Sequence, residues 1–393
     1  PPRSTLFPYT TLFRSDEVPA EIQADQIGDQ TEWEKGIVVP IAENQYRYYQ
    51  FEYELRDPIE VSPHIPIRAV DHSIGQSGII LCALSEDDGL TLYSLREKKN
   101  LMTGKITFNP SSSKIPYSPP KDKAKPMSIK ITGLGDGIYV IWKDGFTLRY
   151  NTHELQKPFL AETLDLIEEP SATLTALHFL IGRNTLITGD SNGTIHGWFR
   201  VRSADAQTPD GMKLVKAHTL PSMQNPVTSF SASQRSRVIA AGYQNGSIRL
   251  FHVTSDQLLL EIPASDREPV VTLALANKEN GLFAITPQQG FQRSLDLKYP
   301  EATLAALFHP VWYEGFEKPE HIWQSSSGTD DFEPKYGLIP LIFGTAKATF
   351  YSMLFGVPLA LLAAIYTSEF MHPRTKALVK PTVELMASLP SVV

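Results

Sequence analysis

The sequence predicts a mainly β domain followed by an α-helical membrane segment. Three observations carry that expectation. Two stretches, "TLITGDSNGTIHGWF" at 185–199 and "VIAAGYQNGSIRLFH" at 238–252, align without gaps. Looser copies of the same pattern recur along the chain. Finally, residues 348–368 contain no charged side chain, and a helix of about 20 apolar residues crosses the roughly 30 Å hydrocarbon core of a bilayer.

At the N-terminus, residues 1–15 stand apart. "PPRSTLFPYTTLFRS" lacks the basic start, apolar core and cleavage site of a signal peptide. It resembles the translation of a short-read sequencing adapter and is read as an artefact ahead of a frame that begins near Asp16. Residues 16–300 form the expected β domain. "YRYYQFEYELRD" at 46–57 alternates aromatic and polar residues, as a half-exposed strand does, and "GIILCALS" reads as a strand with Cys82 a small buried side chain.

In the two aligned stretches an apolar strand ends at Gly189 or Gly242. Asn192-Gly193 or Asn245-Gly246 follows, and the next strand carries Trp198 or Phe251. Asn-Gly between apolar runs predicts a hairpin closed by a type I′ turn, with φ > 0 at both residues. "LCALSEDDGLTLYSL", "IYVIWKDGFTLRYN" and "LFAITPQQGFQRSLDL" supply the turn glycines Gly89, Gly145 and Gly290. Successive turn glycines are 56, 48, 53 and 44 residues apart, the period of a four-stranded propeller blade. The stretch from Glu32 to Leu297 has room for six or seven such blades. A β-sandwich with regular hairpins is the alternative. The repeats are similar to those of WD40-like propellers, although no Trp-Asp dipeptide closes a blade.

A chain of 393 residues predicts two or three domains. With 36 basic against 43 acidic residues, it lacks the basic stripe of a nucleic-acid binder. One cysteine excludes an internal disulfide framework and a cysteine-based zinc site. "GLGDG" at 133–137 lacks the Lys-Ser/Thr and the helix of a phosphate loop and reads as a turn. "GDSNGT" has too few carboxylates for a calcium loop. Asp71, His72, Ser73 and Ser77 are close in sequence, but Ser77 is not in a nucleophile elbow, and no two histidines are spaced to share a metal on a helix. Neither enzymatic activity nor a cofactor or metal is expected of this chain.

Asp330, Asp331 and Glu333 precede the uncharged run, whereas Arg374, Lys376 and Lys380 follow it. The positive-inside rule then places the far end in the cytoplasm and the β domain outside, in the periplasm of a bacterium. Gly356 and Pro358 lie mid-span, a composition that fits a helix packed against other membrane helices.

Pro340 and Gly344-Thr345 lead into the span, Gly356-Val357-Pro358 lie within it, and Ser368-Glu369 close it. After a basic turn come Lys380-Pro381, Glu384-Leu385 and Leu389-Pro390-Ser391-Val392-Val393. As a set these residues resemble the permease subunit of phosphate-specific ABC importers, the PstC type, in a long form with a large extracytoplasmic insertion. The resemblance implies that residues 336–393 begin a permease domain with a span at about 346–368, and that 301–335 are its lead-in. It implies a multi-pass inner-membrane protein whose partners are a second permease subunit, cytoplasmic ATPase subunits and a periplasmic phosphate-binding protein. The remaining helices and the phosphate-handling residues are expected beyond Val393, so the chain is read as a fragment. Pro358, Glu369, Glu384 and Pro390 are the candidate transport or gating residues. The β domain is expected to dock a partner or act as a scaffold. The alternative function is a β-propeller scaffold held by a C-terminal tail anchor.

Overall fold

A computed structural model describes residues 12–16, 31–33, 36–42, 45–52, 65–75, 78–99, 106–264, 267–327 and 332–388. The chain divides into two compact units. One comprises residues 1–175, 182–184 and 204–213; the other comprises 176–181, 185–203 and 214–393.

The first unit opens with β1 (Leu12–Asp16), β2 (Thr31–Trp33), β3 (Gly36–Ala42) and β4 (Gln45–Glu52), paired in the order β1-β4-β3-β2. β1 falls largely within the residues set apart above, and its backbone pairs antiparallel with β4. Two meanders follow in chain order: β5 (Ile67–Gly75), β6 (Gly78–Ser85), β7 (Leu90–Lys99) and β8 (Ile106–Lys114), then β9 (Ser128–Ile131), β10 (Gly137–Ile141), β11 (Phe146–Asn151) and β12 (Phe159–Asp165). Their second strands are apolar runs because both faces are covered. All five residues of β10 are buried, whereas β12, at a sheet edge, mixes exposed and buried positions. Ile80, Cys82, Leu84 and Leu92 pack against Ile129, Ile138, Val140 and Trp142 of the neighbouring sheet, each such burial contributing about 1.5–3 kcal/mol. The Cys82 thiol is pushed well above its ordinary pKa by this burial, with a further push from the Asp71 charge.

One ion cluster ties the 204–213 segment to this sheet. Arg149 on β11 is fully buried. Its guanidinium donates to both carboxylate oxygens of Asp210 at 2.6 and 3.1 Å, to Glu162 at 2.9 Å and to the Met212 carbonyl at 2.7 Å. A buried charge needs that degree of satisfaction.

The second unit repeats the meander: β13 (Leu174–Phe179), β14 (Leu186–Asp190), β15 (Ile195–Arg202) and β16 (Met212–Leu220), then β17 (Val227–Ala232), β18 (Val238–Tyr243), β19 (Ile248–His252) and β20 (Gln257–Ile262). A three-stranded sheet follows, β21 (Thr272–Leu275), β22 (Gly281–Ile285) and β23 (Gly290–Ser294). β14 and β18 are wholly buried. Val227, Phe230 and Ile239 pack with Ile187 and Ile195 of the preceding sheet, while Ala240 and Leu250 pack with Leu273 and Leu282 of the following one. These are successive blade-like sheets, each made of consecutive strands. A sandwich would exchange strands between two sheets.

The turns correct the sequence reading. Hairpins at 85–89, 142–146, 190–194 and 243–247 share one geometry. The N–H of the fourth residue donates to the carbonyl of the first, from Asp88 at 3.1, Gly145 at 3.1, Gly193 at 3.2 and Gly246 at 3.0 Å. That fourth residue alone has a positive φ, 80° at Gly193 and 86° at Gly246. Asn192 and Asn245 stay outside the left-handed region, so these are not type I′ turns. They are loops one residue longer, a type I turn followed by one left-handed residue. Asn245 instead acts through its side chain, accepting from the Ser247 N–H at 3.1 Å. At the first hairpin Asp88 takes the left-handed position with φ 64°, and Gly89 sits one place beyond it. Gly290 is not left-handed; it opens β23 after a tighter turn in which the Thr286 N–H donates to the Gln289 carbonyl at 2.8 Å.

Candidate functional site: the long helix and its lead-in

Beyond β23 come α1 (Leu304–Phe308), β24 (Trp323–Gln324), β25 (Lys335–Tyr336), α2 (Ile339–Ile365) and α3 (Pro373–Ser388). α2 starts with Pro340 in its first turn, where a missing N–H is harmless, and passes into a π-helical turn at Tyr366–Phe370. Together they form a 32-residue helix long and apolar enough to cross a membrane, none of it buried inside the structure. At 1.5 Å per residue it measures about 48 Å, close to a bilayer with its headgroups. The expected span at 346–368 lies inside it.

One face of α2 is made of small residues at every fourth position: Gly344, Ala348, Ser352, Gly356, Ala360 and Ala364. Positions four apart form a ridge on a helix, and small side chains along such a ridge let a second membrane helix approach closely. Among the described residues a Cβ added at Gly344 or Gly356 would meet nothing within 4 Å, so none of them requires these glycines. Pro358 lies two residues past Gly356 and has no N–H to offer the Leu354 carbonyl. Glu369 lies in the π-helical turn, a feature frequent at functional sites. That end of the helix is capped by Lys376, whose Nζ donates to the Ser368 carbonyl at 2.9 Å. Glu384 is exposed on α3. Among the described residues no hydrogen bond or ion pair joins Pro358, Glu369 and Glu384 to one another. Pro390 lies outside the described residues, as do Asp330 and Asp331.

The lead-in, 301–335, is built onto the sheets of the second unit. Thr303 caps α1, its hydroxyl accepting from the Ala306 N–H at 3.1 Å. Tyr313 is buried. The Trp312 indole meets Phe199 edge-on at 6.0 Å and donates to the Phe316 carbonyl at 2.7 Å. Arg237, at the mouth of β18, holds two acidic residues of the lead-in: its Nη1 lies 3.1 Å from Glu314 and its Nε 3.5 Å from Glu333. The same Nη1 donates to the Ile181 carbonyl at 2.7 Å, and Glu314 also accepts from the Thr185 hydroxyl. Glu333 is 9% exposed, and its Oε1 has no hydrogen-bond partner among the described residues. Burial pushes its pKa up, against the pull of Arg237. Glu314 and Arg237 were not singled out from the sequence. The signal was faint: a charged residue directly before the apolar run of a central strand.

Arg237, His252 and Glu333 also line a cavity of about 570 Å³ whose rim mixes Arg235, Lys278 and Lys298 with Asp296 and Glu301. Such a mixed rim selects neither anions nor cations. Burial, with the nearby His218 and Arg237 charges, lowers the His252 pKa to about 4. An unfolded histidine titrates near 6.5, so the unfolded state binds more protons than the native one between these values. The stability contributed by neutral His252 is therefore complete above about pH 6.5 and lost toward pH 4, on the order of 3 kcal/mol in all. Glu333, raised, works in the opposite sense. His252→Gln is expected to flatten the fall in melting temperature of the detergent-solubilised chain between about pH 7 and pH 5. An equal fall in the variant would rule His252 out as its source.

Asp71 and Ser73 are engaged structurally on β5, whereas His72 is exposed there and Ser77 lies outside the described residues. Asp71 accepts from the Ile131 N–H at 2.8 Å and pairs with Arg183, and the Ser73 hydroxyl donates to the Gly133 carbonyl.

No family model matches the chain. Sixty-three residues, 16% of it, are 40% identical to the probable ABC transporter permease protein YqgH of Bacillus subtilis (strain 168), and they cover 20% of that protein. The chain thus spans about a fifth of the length of the curated relative it matches. Among solved structures, the β-propeller domain of Cps50 (Swd1) from Myceliophteria thermophila is similar over 55% of this chain and 67% of that one, at 14% identity and a TM-score of 0.40. The chain combines successive antiparallel sheets of consecutive strands with a stretch related to ABC permeases.

Proposed function

We propose that this chain is part of the permease subunit of an ABC importer for phosphate, with its β body on the periplasmic side of a bacterial inner membrane. The observation that carries the reading is the permease match in a chain whose α2 has the length and composition of a membrane span. The reading assigns the matched residues to the C-terminal region. The small-residue ridge of α2 supports it, because a helix that packs against sister spans needs such a face and a lone anchor does not. Phosphate as the cargo rests on the resemblance of residues 336–393. The partners are a second permease subunit, ATPase subunits that carry out ATP hydrolysis, and a phosphate-binding protein. The β body, joined to the span through the folded lead-in, docks one of these or steadies the complex.

The test is uptake of labelled phosphate by cells in which the gene is disrupted and then restored. Restored wild type is expected to recover high-affinity phosphate uptake. Gly356→Leu, which fills the ridge, is expected to lower it at least about tenfold by blocking helix contact. Normal phosphate uptake in the disrupted strain, with loss of another solute, would remove phosphate from the proposal and leave the permease.

A further inference from the structure

The lead-in and the residues just before it present an unusual set of apolar side chains to solvent. Tyr299 is 78% exposed, Leu304 77%, Phe308 46% and Trp323 41%. All four lie in the 25 residues between Tyr299 and Trp323, and backbone hydrogen bonds hold their segments against the N-terminal end of α2. The Leu338 N–H, one residue before the helix, donates to the Leu307 carbonyl of α1 at 2.8 Å. The Gly337 N–H donates to the Ile322 carbonyl at 2.8 Å. Trp323 is paired in register with Tyr336, and their rings lie 5.8 Å apart. α1 is only five residues long, about 7 Å, so Leu304 and Phe308 cannot lie far from the start of the long helix.

We propose that α1 and the β24–β25 hairpin form a platform that rests on the membrane surface, with Leu304, Phe308 and Trp323 set into the lipid headgroup layer. The proposal rests on the reading of α2 as a membrane span. The occupant follows from continuity: the apolar surface of α2 begins at Ile339, directly beside the patch. A 32-residue helix exceeds the hydrocarbon core by about the depth of the headgroup layers. Its first turns therefore stand at headgroup level, where Trp and Tyr concentrate because one end of each ring is apolar and the other polar. Of the charged side chains beside it, Lys335 donates to the Gln324 side chain at 3.0 Å, and the acidic Glu314 and Glu333 are paired with Arg237. Such a platform fixes the height of the β body above the bilayer and stops it swinging about the start of the span.

The full chain, reconstituted in phosphatidylcholine vesicles, carries a fluorophore at Leu304→Cys, Phe308→Cys or, as reference, Leu354→Cys in mid-span. Cys82 is buried and stays unlabelled. Lipids bearing a spin label at the headgroup are expected to quench the labels at 304 and 308 at least about twofold, as the interfacial seat requires. Lipids labelled deep in the acyl chain are expected to quench the label at 354. If 354 is quenched and 304 and 308 are not, the platform is overturned while the span stands. If 354 is not quenched either, the span reading fails and the platform with it. A second variant, Trp323→Phe, is expected to remove most of the quenching of intrinsic fluorescence by headgroup-labelled lipid. Unchanged quenching in that variant would overturn the seat of Trp323.

Discussion

Arg237→Leu is expected to destabilise the second unit by about 3–5 kcal/mol, the range for removing one partner of a buried ion pair. The variant leaves Glu314 and Glu333 without their ion-pair partner, and Glu333 is nearly sealed from water. Little of the loss is the attraction itself; most is the cost of a carboxylate kept buried without a counter-charge. For a unit of this size the melting temperature falls by roughly 10 °C. Because Glu314 and Glu333 belong to the lead-in, the variant is also expected to open 301–335 to limited proteolysis before the sheets unfold. Lys125→Ala is the control. Lys125 lies 2.6 Å from Glu86, closer than Arg237 is to either acid, but it is 65% exposed. A solvated pair is worth under about 1 kcal/mol. Adding Glu333→Leu to Arg237→Leu is expected to recover part of the loss. If Arg237→Leu melts with the Lys125→Ala chain, the lead-in is held by its apolar contacts and not by this cluster.

Much of this architecture was legible from local pattern. The central strands announced themselves as apolar runs, because a strand covered on both faces has no polar side to show. β10 and β18 are such strands. The long helix was legible for a similar reason, since its residues are apolar nearly all round. Turn type was harder to read. Asn-Gly marks a reversal, but whether one or two residues become left-handed depends on loop length, which at 190–194 is set by the pairing of Gly189 with Ile195. The ion cluster was not legible at all. Arg237, Glu314 and Glu333 come from distant segments, and hydrophobic periodicity carries no information about which charges meet. Glu333 shows the consequence. Read along the chain it is one of three acids flanking a span; in the structure it is folded inward against Arg237. Gly356 and Pro358 stood out from the sequence, whereas the full ridge from Gly344 to Ala364 emerges only when positions are read at helical spacing.

Gly193→Val is expected to cost at least about 3 kcal/mol, more than its conformation alone demands. At φ 80° any side chain pays roughly 1–2 kcal/mol for the left-handed geometry. Here a Cβ would also stand 2.4 Å from the Asn225 carbonyl oxygen and 2.7 Å from the Asn225 nitrogen. Both are backbone atoms next to β17, so no rotamer change relieves the contact. The strand must shift, and with it Val227 and Phe230, which pack in the core of the same unit. Gly315, in the lead-in, separates the two effects. Its φ is 81°, nearly the same, yet a Cβ there meets nothing within 4 Å among the described residues. Gly315→Ala is therefore expected to show the conformational cost alone, about 1 kcal/mol. Thermal melts of the two variants in the same detergent decide between the sources. A Gly193→Val chain that melts within a degree or two of Gly315→Ala would mean that the loop at 222–226 yields easily. A gap several times larger would mean that the turn glycines are kept for the close approach of the next sheet, and not merely for the freedom of their own backbone.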